Sequence, residues 1–179
     1  MSETAIEGVV AAGRVPTWVI PTASIPTEPT EGTNSVPLAA LTGASSTKID
    51  CYYDFGDVSV SRSPQTKSRQ RACQTVAQTI KIGETIDVTI SAVYDQQAAA
   101  ADAVNKAYSA LPEGTEVYIA QAFGHEAAVD PTSATKIDLM RGTVQFRMKN
   151  QPTSPEEDLK FTATISVSGY WEDVALTGA

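Results

Sequence analysis

Residues 85–94 read TIDVTISAVY, and this stretch decides the class of the fold. Apolar and polar side chains alternate along it, which is the period of a β-strand with one buried face. The apolar face comprises Ile86, Val88, Ile90, Ala92 and Tyr94, and the polar face comprises Asp87, Thr89 and Ser91. The stretch is therefore predicted to be a half-buried strand.

The same alternation returns near the C-terminus, in residues 158–170. One face of that stretch is apolar, and the other carries Thr162, Thr164 and Ser166 among its polar residues. Shorter alternating runs, separated by turn residues at 54–57 and at Gly83, indicate further strands. These runs cover residues 47–53, 58–61, 72–82, 116–123 and 137–148.

Residues 96–111 follow a helical period instead. An alanine run leads into an apolar stripe at Ala101, Val104, Tyr108 and Leu111, and Pro112 with Gly114 ends the segment. Asp95 is the predicted N-terminal cap. One helix among seven or eight strands predicts a mainly β fold, a β-sandwich or half-barrel flanked by an α-helix.

Residues 1–46 show little periodic pattern and hold five of the ten prolines. Proline removes a hydrogen-bond donor from a strand, so this stretch is predicted to be an extended N-terminal arm, with one short strand at 17–20. Trp18 and Ile20 are apolar anchors in the arm and are candidates for a contact with a neighbouring copy. Residues 47–179 form the predicted β domain.

The charge balance excludes several classes of function. The formal net charge is −8, which disfavours nucleic-acid binding through phosphate neutralisation. No apolar run is long enough to span a membrane, and the acidic start does not resemble a signal peptide. Synthesis in the cytosol is expected, so Cys51 and Cys73 are predicted to be small buried side chains without a disulfide.

One segment is basic. Arg62, Lys67, Arg69 and Arg71 occur within ten residues that contain no acid, while the rest of the chain has 9 bases against 21 acids. The segment is predicted to be a long hairpin loop whose charge docks on an acidic surface of another copy. The alternative is a solvated basic loop without a partner.

No constellation of residues indicates catalysis, a cofactor or a metal. His125 is the single histidine, and no G-x-S-x-G sequence supplies a nucleophile for it. Two cysteines more than twenty residues apart match no zinc spacing. The triplet Asp54-Phe55-Gly56 occurs without the other kinase motifs and is interpreted as a turn.

Taken together, these features resemble the major tail protein, or tail tube protein, family of long, non-contractile-tailed phages. The resemblance covers roughly residues 47–171 and depends on four segments: TKIDCYY at 47–53, the basic segment, the helix, and KFTATISVSG at 160–169. It implies hexameric rings that stack into a tail tube for DNA ejection. It also implies a virion location and three partners besides the chain itself, namely a tape-measure protein, a tail terminator and a distal tail protein.

Within that family, the tube lumen would be lined by one of the polar strand faces. The candidates are Asp87, Thr89 and Ser91, or Thr162, Thr164 and Ser166, although the bases Arg147 and Lys149 argue that a different sheet could line the lumen. DNA would pass without specific binding. Three other classes stay open: another virion component such as a terminator, connector or decoration protein; a sugar-binding β-sandwich with an exposed platform of Trp18, Tyr170 and Trp171; and, least favoured, an enzyme.

Overall fold

The computed structural model describes residues 10–30, 34–73 and 75–178. The described residues form one eight-stranded sheet in which the strand order is β3-β1-β6-β7-β8-β5-β4, with β2 added in parallel to β8. The strands are β1 (Thr17–Pro21), β2 (Ser35–Pro37), β3 (Thr47–Lys48), β4 (Val58–Arg69), β5 (Gln78–Val93), β6 (Glu116–Gln121), β7 (Lys136–Lys149) and β8 (Lys160–Thr177). Two short helices, α1 (Ala39–Thr42) and α2 (Lys106–Ala110), flank the sheet. The predicted mainly β class with a flanking helix is confirmed.

Each face of the sheet carries its own hydrophobic core. The first cluster packs beneath α2 and joins side chains of β5, β6, β7 and β8, including Ile90, Ile119 and Ile165. The second cluster lies on the opposite face and packs beneath α1, where it includes Tyr118 and Leu139. Neighbouring residues of a strand point to opposite faces, so a single strand such as β6 can serve both cores.

Strand β1 shows the same division. Val19 belongs to the first cluster, whereas Trp18 and Ile20 belong to the second. β1 lies between β3 and β6 in the sheet, which confirms the short strand predicted at 17–20. Trp18 is 3% exposed and Ile20 is 0% exposed, so the prediction that they contact a neighbouring copy is wrong. Their side chains complete the core of their own chain.

The role of residues 1–46 as an assembly arm stays a prediction, and its first nine residues lie outside the described part of the chain. Parts of the described remainder pack on the sheet, while residues 10–12 and 26–28 are exposed. β2 pairs with the end of β8, and Leu41 of α1 is buried in the second cluster. Prolines interrupt this segment without preventing short stretches of pairing.

The helix is shorter than predicted. It spans Lys106–Ala110 and follows a 3-10 turn at Ala103–Asn105, while the predicted first part, 96–102, is not helical. The buried Asn105 side chain explains the difference: its Nδ2 donates to the carbonyl oxygens of Asp95, Ala98 and Ala99. A polar side chain that binds nearby backbone groups stabilises a loop in competition with a helix. Asp95 binds the backbone of Gln97 and does not cap α2.

The basic segment is a strand where a loop was predicted. Residues 62–69 belong to β4 and pair with β5, while the turn predicted at Gly83 lies inside β5, beside a register shift. The connection between the two strands is 70–77. Most of this hairpin is solvent-exposed, so its sequence lacks the apolar alternation that marks a half-buried strand.

Candidate assembly surfaces

The two polar stretches that were candidates for a lumen lie side by side. Antiparallel pairing of β5 with β8 places three residues of one opposite three of the other, namely Asp87 with Ser166, Thr89 with Thr164, and Ser91 with Thr162. They form one surface, called here the polar face, on the side of the sheet opposite the first core. All six are half-buried. The two candidate lumen surfaces are therefore one surface, which only the pairing register of β5 with β8 could reveal.

The outer strands extend the polar face. Ser59 and Ser61 of β4 pair with Thr89 and Asp87, and on the other side Phe146 and Met148 of β7 pair with Thr164 and Thr162. Phe146 is 47% exposed and Met148 is 62% exposed. Sequence reasoning missed these two residues because a register shift between Val144 and Phe146 changes which side chains share a face.

Arg147 and Lys149 lie on the other face of β7, opposite the buried residues Ala163 and Phe161. The Arg147 guanidinium stacks 4.0 Å from the ring centroid of Tyr108 and donates to its carbonyl oxygen at 2.8 Å. Lys149 lies 5.3 Å from the ring centroid of Tyr94. Both side chains therefore lie against aromatic rings on the α2 side of the sheet and not on the polar face. They do not argue against the polar face as the lining of a lumen.

The hairpin of β4 and β5 projects beyond the sheet. β5 pairs with β8 from Ile86 to Val93, and its earlier residues pair only with β4. Residues 62–69 and 78–85 form this two-stranded projection, called here the basic ribbon. Eight strand residues span roughly 26 Å. The ribbon thus extends far from either core.

A carboxylate clamps the base of the ribbon. Glu84 accepts two hydrogen bonds from Arg62, at 3.0 Å and 2.9 Å, and a third from Lys81. These bonds lower the pKa of Glu84 from 4.5 to about 2, with those from Arg62 contributing most. Hydrogen bonding to Glu84 raises the pKa of Arg62 in turn. Arg62 is therefore occupied within its own chain, at the base of the ribbon.

The outer part of the ribbon presents cations and apolar side chains to solvent. Lys67 and Arg69 are exposed and form no ion pair with another described residue. Arg71 lies in the connection 70–77. Ile80 and Ile82, on β5, are 47% and 64% exposed. Residues 62–85 hold five bases and one acid, while the rest of the chain has eight bases and twenty acids.

The other end of the β5–β8 pair is acidic. The turn 54–57 and the loop 150–158, together called here the acidic end, line a cleft of about 460 Å³. Lys160 reaches into it and forms ion pairs with Asp54 and, at 2.7 Å, with Asp57, which raises the pKa of Lys160. Glu157 accepts hydrogen bonds from the backbone and side chain of Thr153, and these lower the pKa of Glu157.

Two further acids at this end, Glu156 and Asp158, are exposed and pair with no described cation. Phe55, 82% exposed, lies within the turn, and Leu159, 55% exposed, follows the loop. The acidic end therefore carries uncompensated negative charge beside apolar side chains.

Two strand edges beside the polar face are left open among the described residues. β4 pairs with β5 on one side and with no described strand on the other. β6 pairs with β7 only as far as Thr143, so the outer edge of residues 145–149 has no strand partner among the described residues. Open edges present unpaired backbone N–H and C=O groups and readily pair with another chain.

A model of the phage tail tube protein family matches residues 3–179, nearly the whole chain. The chain belongs to this family. A tail tube protein is a structural protein of the virion, so the surfaces described above belong to a virion component. No curated protein matches the sequence.

Solved structures show the same fold at very low identity. A structure of the tail tube of SPP1 has a TM-score of 0.54 and 8% identity, covering 92% of this chain and 79% of that one. A chain of the baseplate of the anti-feeding prophage, from a 6-fold symmetrised structure, has a TM-score of 0.51 and 8% identity, covering 96% of each chain. At this identity the likeness concerns the fold alone.

The remaining sequence candidates do not form a site in the described part of this tail tube protein. His125 contacts the carbonyl oxygen of Val129 at 3.0 Å, within its own loop. Trp171 packs against the second core and Tyr170 against the first, so with the buried Trp18 they do not form the exposed sugar-binding platform considered above. Cys51 and Cys73 are exposed, so the prediction that they are buried is wrong. No described helix is long and apolar enough to cross a membrane.

Proposed function

We propose that this tail tube protein assembles into hexameric rings, that the rings stack into the tail tube of a siphophage, and that the genome leaves the capsid through the lumen. The observation that carries the proposal is the pair of open edges on either side of the polar face. The strands β7, β8, β5 and β4 form one continuous group, and among the described residues its outer edges lack strand partners along β4 on one side and along residues 145–149 of β7 on the other.

The directions of the strands suit closure into a ring. Successive strands in the group are antiparallel, so β4 runs opposite to β7. Rotation about an axis roughly along the strands then brings β4 of one copy antiparallel to β7 of the next. Each such contact has the same geometry, as a cyclic assembly requires. The 6-fold symmetrised neighbour of the same fold supports six copies as the number that closes.

Ring closure would turn the polar face toward the lumen. That face carries hydroxyl groups and the carboxylate of Asp87, while Arg147 and Lys149 point to its other side. A lumen without a lane of bases does not neutralise phosphates, so DNA can pass without adhering. The polar face is thus suited to act as the wall of a conduit.

Membership of the family supports the proposed partners and place of assembly without identifying them. A tape-measure protein, a tail terminator and a distal tail protein are the expected partners in a tail that is assembled in the host cytoplasm. These partners would contact the ends or the lumen of the tube, and the chain itself would be the main partner in its wall.

The backbone of β4 allows a specific test of the open edge. The amide of Ser91 donates to the carbonyl oxygen of Asp57, so by strand alternation the amides of Ser59 and Ser61 face β5 and that of Val60 faces outward. Pro64 already occupies a position of the outward kind, where no donor is needed. Val60→Pro therefore removes a donor for the neighbouring copy and leaves the pairing with β5 in place.

Cryo-electron microscopy of the purified protein should show sixfold tubes with β4 of each copy beside β7 of the next. Val60→Pro should abolish rings, whereas Val60→Thr, which keeps the amide, should form them. The melting temperature of each variant shows that the monomer is folded. Tubes that form with β4 exposed to solvent, or unchanged assembly of folded Val60→Pro, would contradict the proposed ring contact.

A further inference from the structure

The two ends of the β5–β8 pair differ in the sign of their charge and agree in their exposed apolar character. The basic ribbon leaves the pair beyond Ile86, and the acidic end lies beyond Val93. Eight paired residues of β5 separate the two ends, which is roughly 26 Å of strand. Translation of a copy along the strands therefore brings its ribbon toward the acidic end of another copy.

The unneutralised charges are complementary. Lys67 and Arg69 have no described acidic partner, and neither Glu156 nor Asp158 has a described basic partner. The other charges at each end are occupied, since Glu84 binds Arg62 and Lys160 binds the two aspartates of the turn. Each end therefore has charged side chains without an ion-pair partner among the described residues, and the opposite end of an identical chain carries charges of the opposite sign.

Apolar side chains at both ends give a second, independent reason for a contact. Ile80 and Ile82 are exposed on the ribbon, and Phe55 and Leu159 are exposed at the acidic end. Large apolar side chains that the fold leaves in water mark a surface that a partner covers. Burial of these groups would contribute affinity, while the charges would select the partner and its orientation.

We propose that the basic ribbon of one copy docks in the cleft at the acidic end of a second copy, displaced along the strand direction into the adjacent ring. The proposal rests on the proposed tube and identifies its inter-ring contact: Lys67 and Arg69 on one side, and Glu156 and Asp158 on the other. The contact is heterologous, because two different surfaces meet, and it leaves one free ribbon and one free cleft at every step. Such a contact propagates without limit, as a stack of rings requires.

Repetition around a ring makes a weak contact sufficient. A single exposed ion pair contributes little, commonly about 0–1 kcal/mol. Copies held in one ring present their ribbons together, so each docking event after the first is effectively intramolecular. The stack can therefore be stable although one ribbon binds one cleft weakly.

Two charge-reversal variants test the contact. Lys67→Glu with Arg69→Glu gives a ribbon that an acidic cleft repels, and Glu156→Lys with Asp158→Lys gives a cleft that a basic ribbon repels. Each variant alone should still form rings, and the stacking of those rings should be weakened about tenfold or more. Mixing the two should restore tubes, because each ribbon then meets a cleft of opposite charge, and the rings should alternate.

Sedimentation velocity and negative-stain microscopy measure the outcome. Lys106→Glu with Lys136→Glu, away from both ends, is the control with the same charge change as the ribbon variant. The control should stack like the unaltered protein. Undiminished stacking of either variant alone would overturn the proposed contact, and so would a mixture that does not stack. Tubes whose ribbons bind only another acidic virion protein would also overturn it. If the unaltered protein forms no rings, the ring proposal fails, and co-sedimentation of the two variants at high protein concentration, where a weak single contact is populated, decides the contact between ribbon and cleft.

Discussion

Strand β5 consists of two halves that follow different rules. From Ile86 onward it pairs with β8, and every second side chain is buried; before that point it pairs only with β4, and nearly all its side chains are exposed. The half from Ile86 onward has its partners inside the chain, whereas residues 78–85 have no core to pack against. The apolar residues Ile80 and Ile82 nevertheless occur in the exposed half. The difference agrees with the proposal that one half serves folding and the other serves assembly.

The largest effect should come from a matched pair of truncations in these halves. Ile90→Ala empties a site that is 0% exposed in the first core, so it should lower the free energy of unfolding by about 2–5 kcal/mol. Ile82→Ala, in the ribbon, should change it by no more than about 0.5 kcal/mol. Urea unfolding of both variants gives the comparison. Equal destabilisation would show that the ribbon belongs to the folding unit.

The same pair separates stability from assembly. Ile82→Ala should shorten tubes or raise the concentration at which they form, since it removes apolar area from the proposed contact. The measurement is the critical concentration by light scattering, with Ile82→Val as the control that keeps most of that area. An unchanged critical concentration in Ile82→Ala would remove Ile82 from the contact.

A smaller effect is expected where polar bonds hold a segment in place. Asn105 is buried, its Nδ2 donates to three carbonyl oxygens, and its Oδ1 accepts from the amide of Asp95 at 3.0 Å. Asn105→Ala leaves these groups unpaired and should cost about 1–3 kcal/mol of unfolding free energy. Hydrogen exchange should show faster opening of residues 95–102. Gln97→Ala, at an exposed position of the same segment, is the control, and equal exchange in the two variants would contradict the role of Asn105.

The parts of the fold that were predictable from sequence are those whose contacts repeat along one strand. The alternation in residues 85–94 and 158–170 correctly identified the polar face, since buried and exposed positions of a strand alternate with period two. Sequence did not reveal that Thr89 and Thr164 are neighbours, because register depends on how two distant segments pair. It also missed Phe146, which a register shift in β7 brings to that face.

The wrong predictions share a physical cause. Trp18 and Ile20 resembled anchors for another chain because their own partners, in β6 and the second core, lie far away in sequence. The helix predicted over 96–111 was too long because the alanine run favours a helix while one buried amide holds a loop. Propensity and period describe a segment by itself, and tertiary contacts can override both.

The smallest effect concerns the clamp at the base of the ribbon, and its pH dependence follows from the lowered pKa of Glu84. A carboxylate whose pKa is lower in the folded chain stabilises the fold above its ordinary pKa, near 4.5, and this contribution is lost as the pH falls through its folded value of about 2. Protonation then weakens the hydrogen bonds from Arg62 and Lys81, so the ribbon base should open between pH 4.5 and 2 while the core half of β5 stays protected.

Nuclear magnetic resonance of the monomer can follow the amides of residues 78–85 and 86–93 across that range. Glu84→Gln, which cannot ionise, should open the ribbon base at neutral pH and remove the transition. The effect should be modest because the pairs are partly exposed and strand pairing with β4 persists. If both halves of β5 respond together, the clamp couples the ribbon to the core, and the division between a folding half and an assembly half is wrong at its boundary.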